Sequence, residues 1–226
     1  MITVTNLSKS FGKHKVLQNI NVAFELGKVY GIIGENGAGK TTLFNCLAGL
    51  ENFDGEVTYS NGILKNVLGF LPTDLFFFSK ITGKEYLQLL CNARKIKFDN
   101  IEDQNIFNLP LNEFAETYST GMKKKLAITA VLLQQNKVFI LDEPFNGVDI
   151  QSNLLIKEVI LKLKSLNKII IISSHIFSTL KETCDQLHLL KAGQIVKSVF
   201  KNEFDTIEED LKDVNFENKI DKLKLS

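Results

Sequence analysis

Arginine is almost missing from this chain: Arg94 is the sole arginine among 226 residues, so nearly all positive charge is lysine. Chemistry that needs an arginine finger in cis would have to use Arg94 or do without. Cysteine is scarce too. Cys46, Cys91 and Cys184 are odd in number, far apart and without a C-x-x-C pair, which excludes a disulfide framework and a structural zinc site and predicts small core residues. Long apolar runs are absent: Ala127 to Leu133, Ile169 to Ile172 and Leu75 to Phe78 are far short of the roughly 18 to 20 residues that span a bilayer. Nor does one sign of charge prevail. With 27 Lys+Arg against 26 Asp+Glu the net charge is +1, so no global field holds a polyanion and no nucleic acid is expected as a partner. Met1 to Asn6 carry neither a basic segment nor an apolar one, which predicts a cytoplasmic chain.

What is present has the make-up of a globular protein able to bury a large core, 44% hydrophobic and 23% charged. Alternating or continuous apolar runs predict strands near 2–7, 16–25, 29–33, 56–59 and 67–71. Apolar residues then recur at helical spacing over 82–90 and 119–135, and a β-type run, 137–141, follows. Beyond it come a helix (152–166), a strand (168–172), a short helix (176–184) and a hairpin (186–190 and 194–200) turned by Ala192-Gly193. Strands alternating with helices imply an α/β fold with a parallel sheet and crossovers. No internal repeat or low-complexity linker interrupts it. The charge-dense extension 201–226 places Phe204, Ile207, Leu211 and Val214 on one helical stripe, predicting an amphipathic helix docked on the same domain.

Gly34-Glu35-Asn36-Gly37-Ala38-Gly39-Lys40-Thr41 fits G-x-x-x-x-G-K-[ST], between a predicted strand (29–33) and a helix (40–47) ended by Gly49. Glycines at this spacing let successive N–H groups curl around phosphate oxygens, and the helix adds its positive end. Lys40 supplies a point charge for the β- and γ-phosphates, and Thr41 a hydroxyl for Mg²⁺. The run Val138 to Leu141 ends in Asp142-Glu143, delivering two carboxylates to the same sheet edge. Asp142 is expected to hold Mg²⁺, partly through water. Glu143 is left to orient, or take a proton from, an attacking water. The strand 168–172 ends in Ser173-Ser174-His175, which aims His175 at that edge to donate to the γ-phosphate; His14 and His188 have no such placement.

With these residues in place the chain resembles the ATP-binding subunits of ABC transporters from about residue 2 to about 200. Tyr118-Ser119-Thr120-Gly121-Met122 looks like the family signature, and Ser119 precedes a helix whose positive end meets no anion of its own loop. The resemblance implies a P-loop NTPase (RecA-like) core, an N-terminal antiparallel β subdomain and an inserted α-helical signature subdomain at about 72–133. It implies ATP and Mg²⁺, with Phe11 on adenine and Thr42 joining residues 34–41 at the nucleotide. Ser119, Thr120, Gly121 and Met122 would cap the γ-phosphate held by a second copy or paralogue in a head-to-tail dimer. Asp149, in Asn146-Gly147-Val148-Asp149, would lie at the dimer seam, and His175 would be the switch histidine.

One departure stands out. The family usually has Gln after the strand that ends Gly69-Phe70-Leu71-Pro72, and this chain has Thr73, about two bonds shorter. Contact of Thr73 with metal is then expected through a bridging water, with slower hydrolysis or altered coupling. Phe76-Phe77-Phe78 lies where the family's membrane subunits dock and could equally pack the helical lobe; Lys123 to Lys125 reads as a solvated helix face. The resemblance is closest to exporter-type systems, so the chain is expected on the inner face of the cell membrane, bound to an integral membrane permease. The rival is a soluble ABC ATPase without a permease, such as one that assembles iron–sulfur clusters.

Overall fold

The computed structural model describes residues 1–212, with the side chains of 209, 211 and 212 excepted, so Leu211 and Val214 of the predicted stripe lie outside what is described. Near the N-terminus β1 (Ile2–Phe11) and β2 (His14–Phe24) form a hairpin in which Ile2 faces Phe24 and Phe11 faces His14. β4 (Asp54–Tyr59) pairs with the other side of β1, giving an antiparallel sheet in the order β2-β1-β4. Ile2, Val4, Leu7, Leu17, Ile20 and Phe24 are buried, as alternation along a one-sided sheet requires. Register slips occur between Val4 and Leu7, where Asn6 takes a φ of 52°, a conformation that asparagine tolerates better than most residues.

The second sheet has six strands in the order β5-β6-β7-β3-β8-β9. These are β3 (Lys28–Ile33), β5 (Leu68–Leu71), β6 (Val138–Leu141), β7 (Ile169–Ser173), β8 (Gln186–Lys191) and β9 (Gln194–Phe200). All neighbours pair parallel except β9, which returns antiparallel through a turn with Ala192 and Gly193 at φ 48° and 77°. Every residue of β6 and β7 is buried, which explains their unbroken apolar runs. Their carboxyl ends, with that of β3, open on one edge.

Helix α1 (Lys40–Leu47) follows β3, and its buried Leu43, Phe44 and Leu47 share a core with the antiparallel sheet. Between β5 and β6 lies a helical block with α2 (Gly83–Ala93) and α3 (Thr120–Leu133). α2 starts with a complete capping box: Thr82 Oγ1 accepts the Glu85 N–H at 3.2 Å, and Glu85 Oε2 accepts the Thr82 N–H at 2.8 Å. Arg94 ties the block to the sheet by donating to the carbonyls of Asn66 (2.6 Å), Leu68 (2.7 Å) and Lys65 (3.3 Å). The single arginine therefore serves the architecture, away from the β3, β6 and β7 ends.

α4 (Ile150–Ser165) begins two residues before the predicted start because Asp149 caps it, accepting the Ser152 N–H at 2.8 Å. α5 (Phe177–Thr183) precedes β8, and α6 (Phe204–Lys212) lies on the domain with Phe204 and Ile207 fully buried. All three cysteines are buried free thiols, and burial pushes Cys46 up to about 11 and Cys184 up to about 12, so neither is a nucleophile. Among the described residues no helix is long and apolar enough to cross a membrane.

Candidate nucleotide site

Apolar β3 carries the chain straight into the Gly34–Gly39 loop, and α1 starts where the loop ends. Gly34 packs against the end of β8 so closely that a Cβ there would lie 2.2 Å from the Leu190 carbonyl oxygen. Gly39, the residue before α1, has a φ of 108°, which side-chain-bearing residues rarely adopt. Lys40 is buried, and its ammonium donates to the carbonyls of Gly34 (2.7 Å) and Glu35 (3.1 Å). The cation is thus held inside the loop, among backbone N–H groups suited to phosphate oxygens.

The loop lines a cleft of ≈ 1100 Å³ that also takes in Thr41, Thr42, Thr73, Asp142, Glu143 and His175. Four strand ends, those of β3, β5, β6 and β7, have brought together what the sequence scatters over 142 positions. Asp142, 1% exposed, accepts a hydrogen bond from Thr41 Oγ1 at 2.7 Å. A hydroxyl and a carboxylate converging beside a phosphate loop form a hard-oxygen donor set that fits Mg²⁺, with phosphate and water as further ligands. Thr73 lines the same cleft. Glu143 Oε2 lies 2.9 Å from His175 Nδ1, joining the two residues expected to act on water and phosphate.

Glu143 has a φ of 50°, an uncommon conformation for a residue with a side chain, costing roughly 1 to 2 kcal/mol. Pro144 follows it and disfavours the right-handed helical alternative. The Glu143 N–H donates to Ser173 Oγ at 2.9 Å, and Ser173 Oγ donates to Asp142 Oδ1 at 2.5 Å.

The signature residues lie elsewhere. Ser119 caps α3, accepting the Met122 N–H at 3.3 Å, and none of residues 119–122 lines the cleft. Gly121 approaches the next loop so closely that a Cβ would lie 2.7 Å from the Gly147 carbonyl oxygen. Asp149 accepts from Ser152 Oγ (2.8 Å) and Lys125 Nζ (3.1 Å); the bonds from Ser152, then the Lys125 pair, hold its carboxyl well below the usual range.

Two readings need correction. The Lys123–Lys125 run is not a solvated face: Lys124 is 5% exposed, and burial holds its ammonium below the usual range, opposed by Asp142, Glu143 and Asp74. Position 124 looks across from α3 toward the sheet edge, which the run of like charges hid. His14 does belong to the cleft, together with Val16, because the β1–β2 turn folds back toward the loop. Phe11, opposite His14, is not among the cleft residues; it is half exposed, with Lys9 Nζ 4.6 Å from its ring centre. Glu208 of α6 and Phe177 of α5 also line the cleft, and only the tertiary fold brings them there.

Comparison with known proteins agrees with this geometry. A family model described as ABC transporter matches residues 17–146. The ABC transporter ATP-binding protein NatA of Bacillus subtilis is 33% identical over 217 residues, covering 87% of this chain and 88% of NatA. The lantibiotic transport ATP-binding protein SrtF of Streptococcus pyogenes is 30% identical over 210 residues, covering 87% of this chain and 89% of SrtF. A dimeric ATP-binding cassette solved in a post-hydrolysis state with ADP and Pi has a TM-score of 0.79 at 19% identity, covering 89% of this chain and 99% of that one; the likeness is one of fold.

Proposed function

This chain belongs to the ABC transporter family as an ATP-binding subunit, and from that premise we propose that it hydrolyses ATP to power export through a separate membrane permease. The observation that carries the reading is the convergence of Lys40, Thr41, Asp142, Glu143 and His175 on one cleft, while Ser119 and its helix end stand outside it. Lys40 and the loop N–H groups hold the β- and γ-phosphates, and the adenine falls to Phe11, which pairs across the hairpin with His14 of the cleft. Thr41 and Asp142 would hold Mg²⁺, which when bound would supply charge neutralisation at the phosphate oxygens. Glu143 orients the attacking water and accepts its proton, and His175, already bonded to Glu143, donates to the γ-phosphate.

The site is completed in trans. Ser119 to Met122 of a second copy bring a helix N-terminus to the γ-phosphate, with Asp149 at the seam, as the dimeric relative with ADP and Pi supports. ATP favours the closed pair and ADP does not, so hydrolysis shifts a two-state equilibrium that a permease can read. Phe76 and Phe78, 72% and 53% exposed in edge-to-face contact at 5.2 Å, form the permease-facing anchor. Phe77 instead packs on Tyr86 in the helical block.

The test is capture of the chain from detergent-solubilised membranes, followed by phosphate release from Mg-ATP. Recovery of a multi-span protein is expected, lost on replacing Phe76 and Phe78 by Ser. Glu143→Gln should lower turnover by at least about 100-fold while ATP still binds. Turnover that survives Glu143→Gln, or recovery of soluble partners alone, would overturn the reading.

A further inference from the structure

Ser173 is a fully buried hydroxyl that the ATPase scheme above does not use. Parallel pairing of β6 with β7 sets Leu141 beside Ile172, so the residue ending β7 lies against the two acids that follow β6. Its hydroxyl makes two bonds, both to those acids. It donates to Asp142 Oδ1 at 2.5 Å and accepts the backbone N–H of Glu143 at 2.9 Å. The other carboxylate oxygen, Oδ2, accepts from Thr41 Oγ1 at 2.7 Å.

We propose that Ser173 is a positioning residue for ATP hydrolysis, locking the Asp142 carboxylate and the Glu143 backbone in one geometry; this rests on the ATPase reading above. The two Asp142 oxygens are not equivalent. Thr41 stands on the cleft and can turn its lone pair toward a cation, which releases Oδ2 to do the same. Ser173 lies behind the carboxylate, outside the cleft lining, so Oδ1 stays tied and the carboxylate plane stays fixed. The same hydroxyl holds the Glu143 N–H while that residue sits at φ 50°, the conformation from which its side chain reaches His175. Without the hydroxyl, a buried N–H and a carboxylate oxygen both lose their partner, and nothing else described holds Glu143 at that φ through its N–H.

Ser173→Thr and Ser173→Val separate this role from packing. Both add bulk at a buried strand position, and they differ only in hydroxyl against methyl. Each variant is assayed for kcat and KM with Mg-ATP, and for ATP affinity in EDTA and in excess MgCl₂. The Val variant should show kcat lower than the Thr variant by about 10- to 100-fold and a similarly reduced Mg²⁺-dependent gain in ATP affinity. KM and the EDTA affinity should stay within about three-fold of each other in the two variants, because Lys40 and the loop do not depend on Ser173. Equal kcat and equal Mg²⁺ gain in both variants, at whatever level, would overturn the proposal. Wild-type protein that binds ATP without turning it over would count against the hydrolysis reading alone, since the Mg²⁺ gain still tells Val from Thr.

Discussion

His188 shows how a single residue can leave a signature in solution without touching the chemistry. It is 3% exposed, stacked on Tyr30 at 6.0 Å with Phe24 edge-on, and donor or acceptor to Ser198 Oγ at 2.7 Å through Nδ1. Its Nε2 is buried without a partner among the described residues, and burial lowers the imidazole to about 4. The folded protein therefore resists a proton that the unfolded chain accepts near the ordinary histidine value of about 6.5. Stability from this group is fully present above pH 6.5, falls as pH drops, and levels off below about 4. The shift amounts to about 3 kcal/mol. Urea unfolding of wild type and His188→Gln from pH 7 to 4 should show wild type losing about that much more; parallel losses would contradict the assignment. Of His14 and His188, which the sequence leaves away from the site residues, only His188 lies apart from the cleft. His14, grouped with it, proved to line the cleft.

At the scale of elements, the segments whose local chemistry and tertiary role agree were legible from residue order. The strand, glycine loop and α1 of the phosphate site carry their own geometry, and the Asp142-Glu143 pair follows a run whose burial needs parallel neighbours on both sides. Elements whose role is set by what packs on them were not. The three lysines of α3 read alike, yet the helix turns Lys124 inward while Lys125 pairs with Asp149. Phe76 to Phe78 likewise divide by the direction of each side chain. Ser173 carries no motif, because its partners lie 30 or more residues away across a strand pair. For α6, the stripe begun by Phe204 and Ile207 does reach the core, although the extension is rich in charge. Phe204→Ala should cost about 3 to 5 kcal/mol and lower the melting temperature by about 10 °C. A melting temperature unchanged to within about 2 °C would show that α6 is not integral to the domain.

At the scale of the whole molecule, the parts of the proposed site are displayed separately. On one surface a cleft holds a phosphate loop, two acids and a histidine; elsewhere a capped helix end offers donors that its own cleft does not use. Close packing of Gly121 on Gly147 couples that helix end to the loop leading to Asp149 and α4, so the displayed half has a rigid backing. The helical block that carries this helix end is held at its base by Arg94, which is bonded to three carbonyls. On the reading proposed above, two chains set head to tail each complete the other's site. The most direct measurement is the mass in solution of the Glu143→Gln chain by light scattering, with saturating Mg-ATP and with ADP. The 25.5 kDa mass should double with ATP and not with ADP. A chain that binds ATP to saturation and keeps the monomer mass would contradict completion of the site by a second copy.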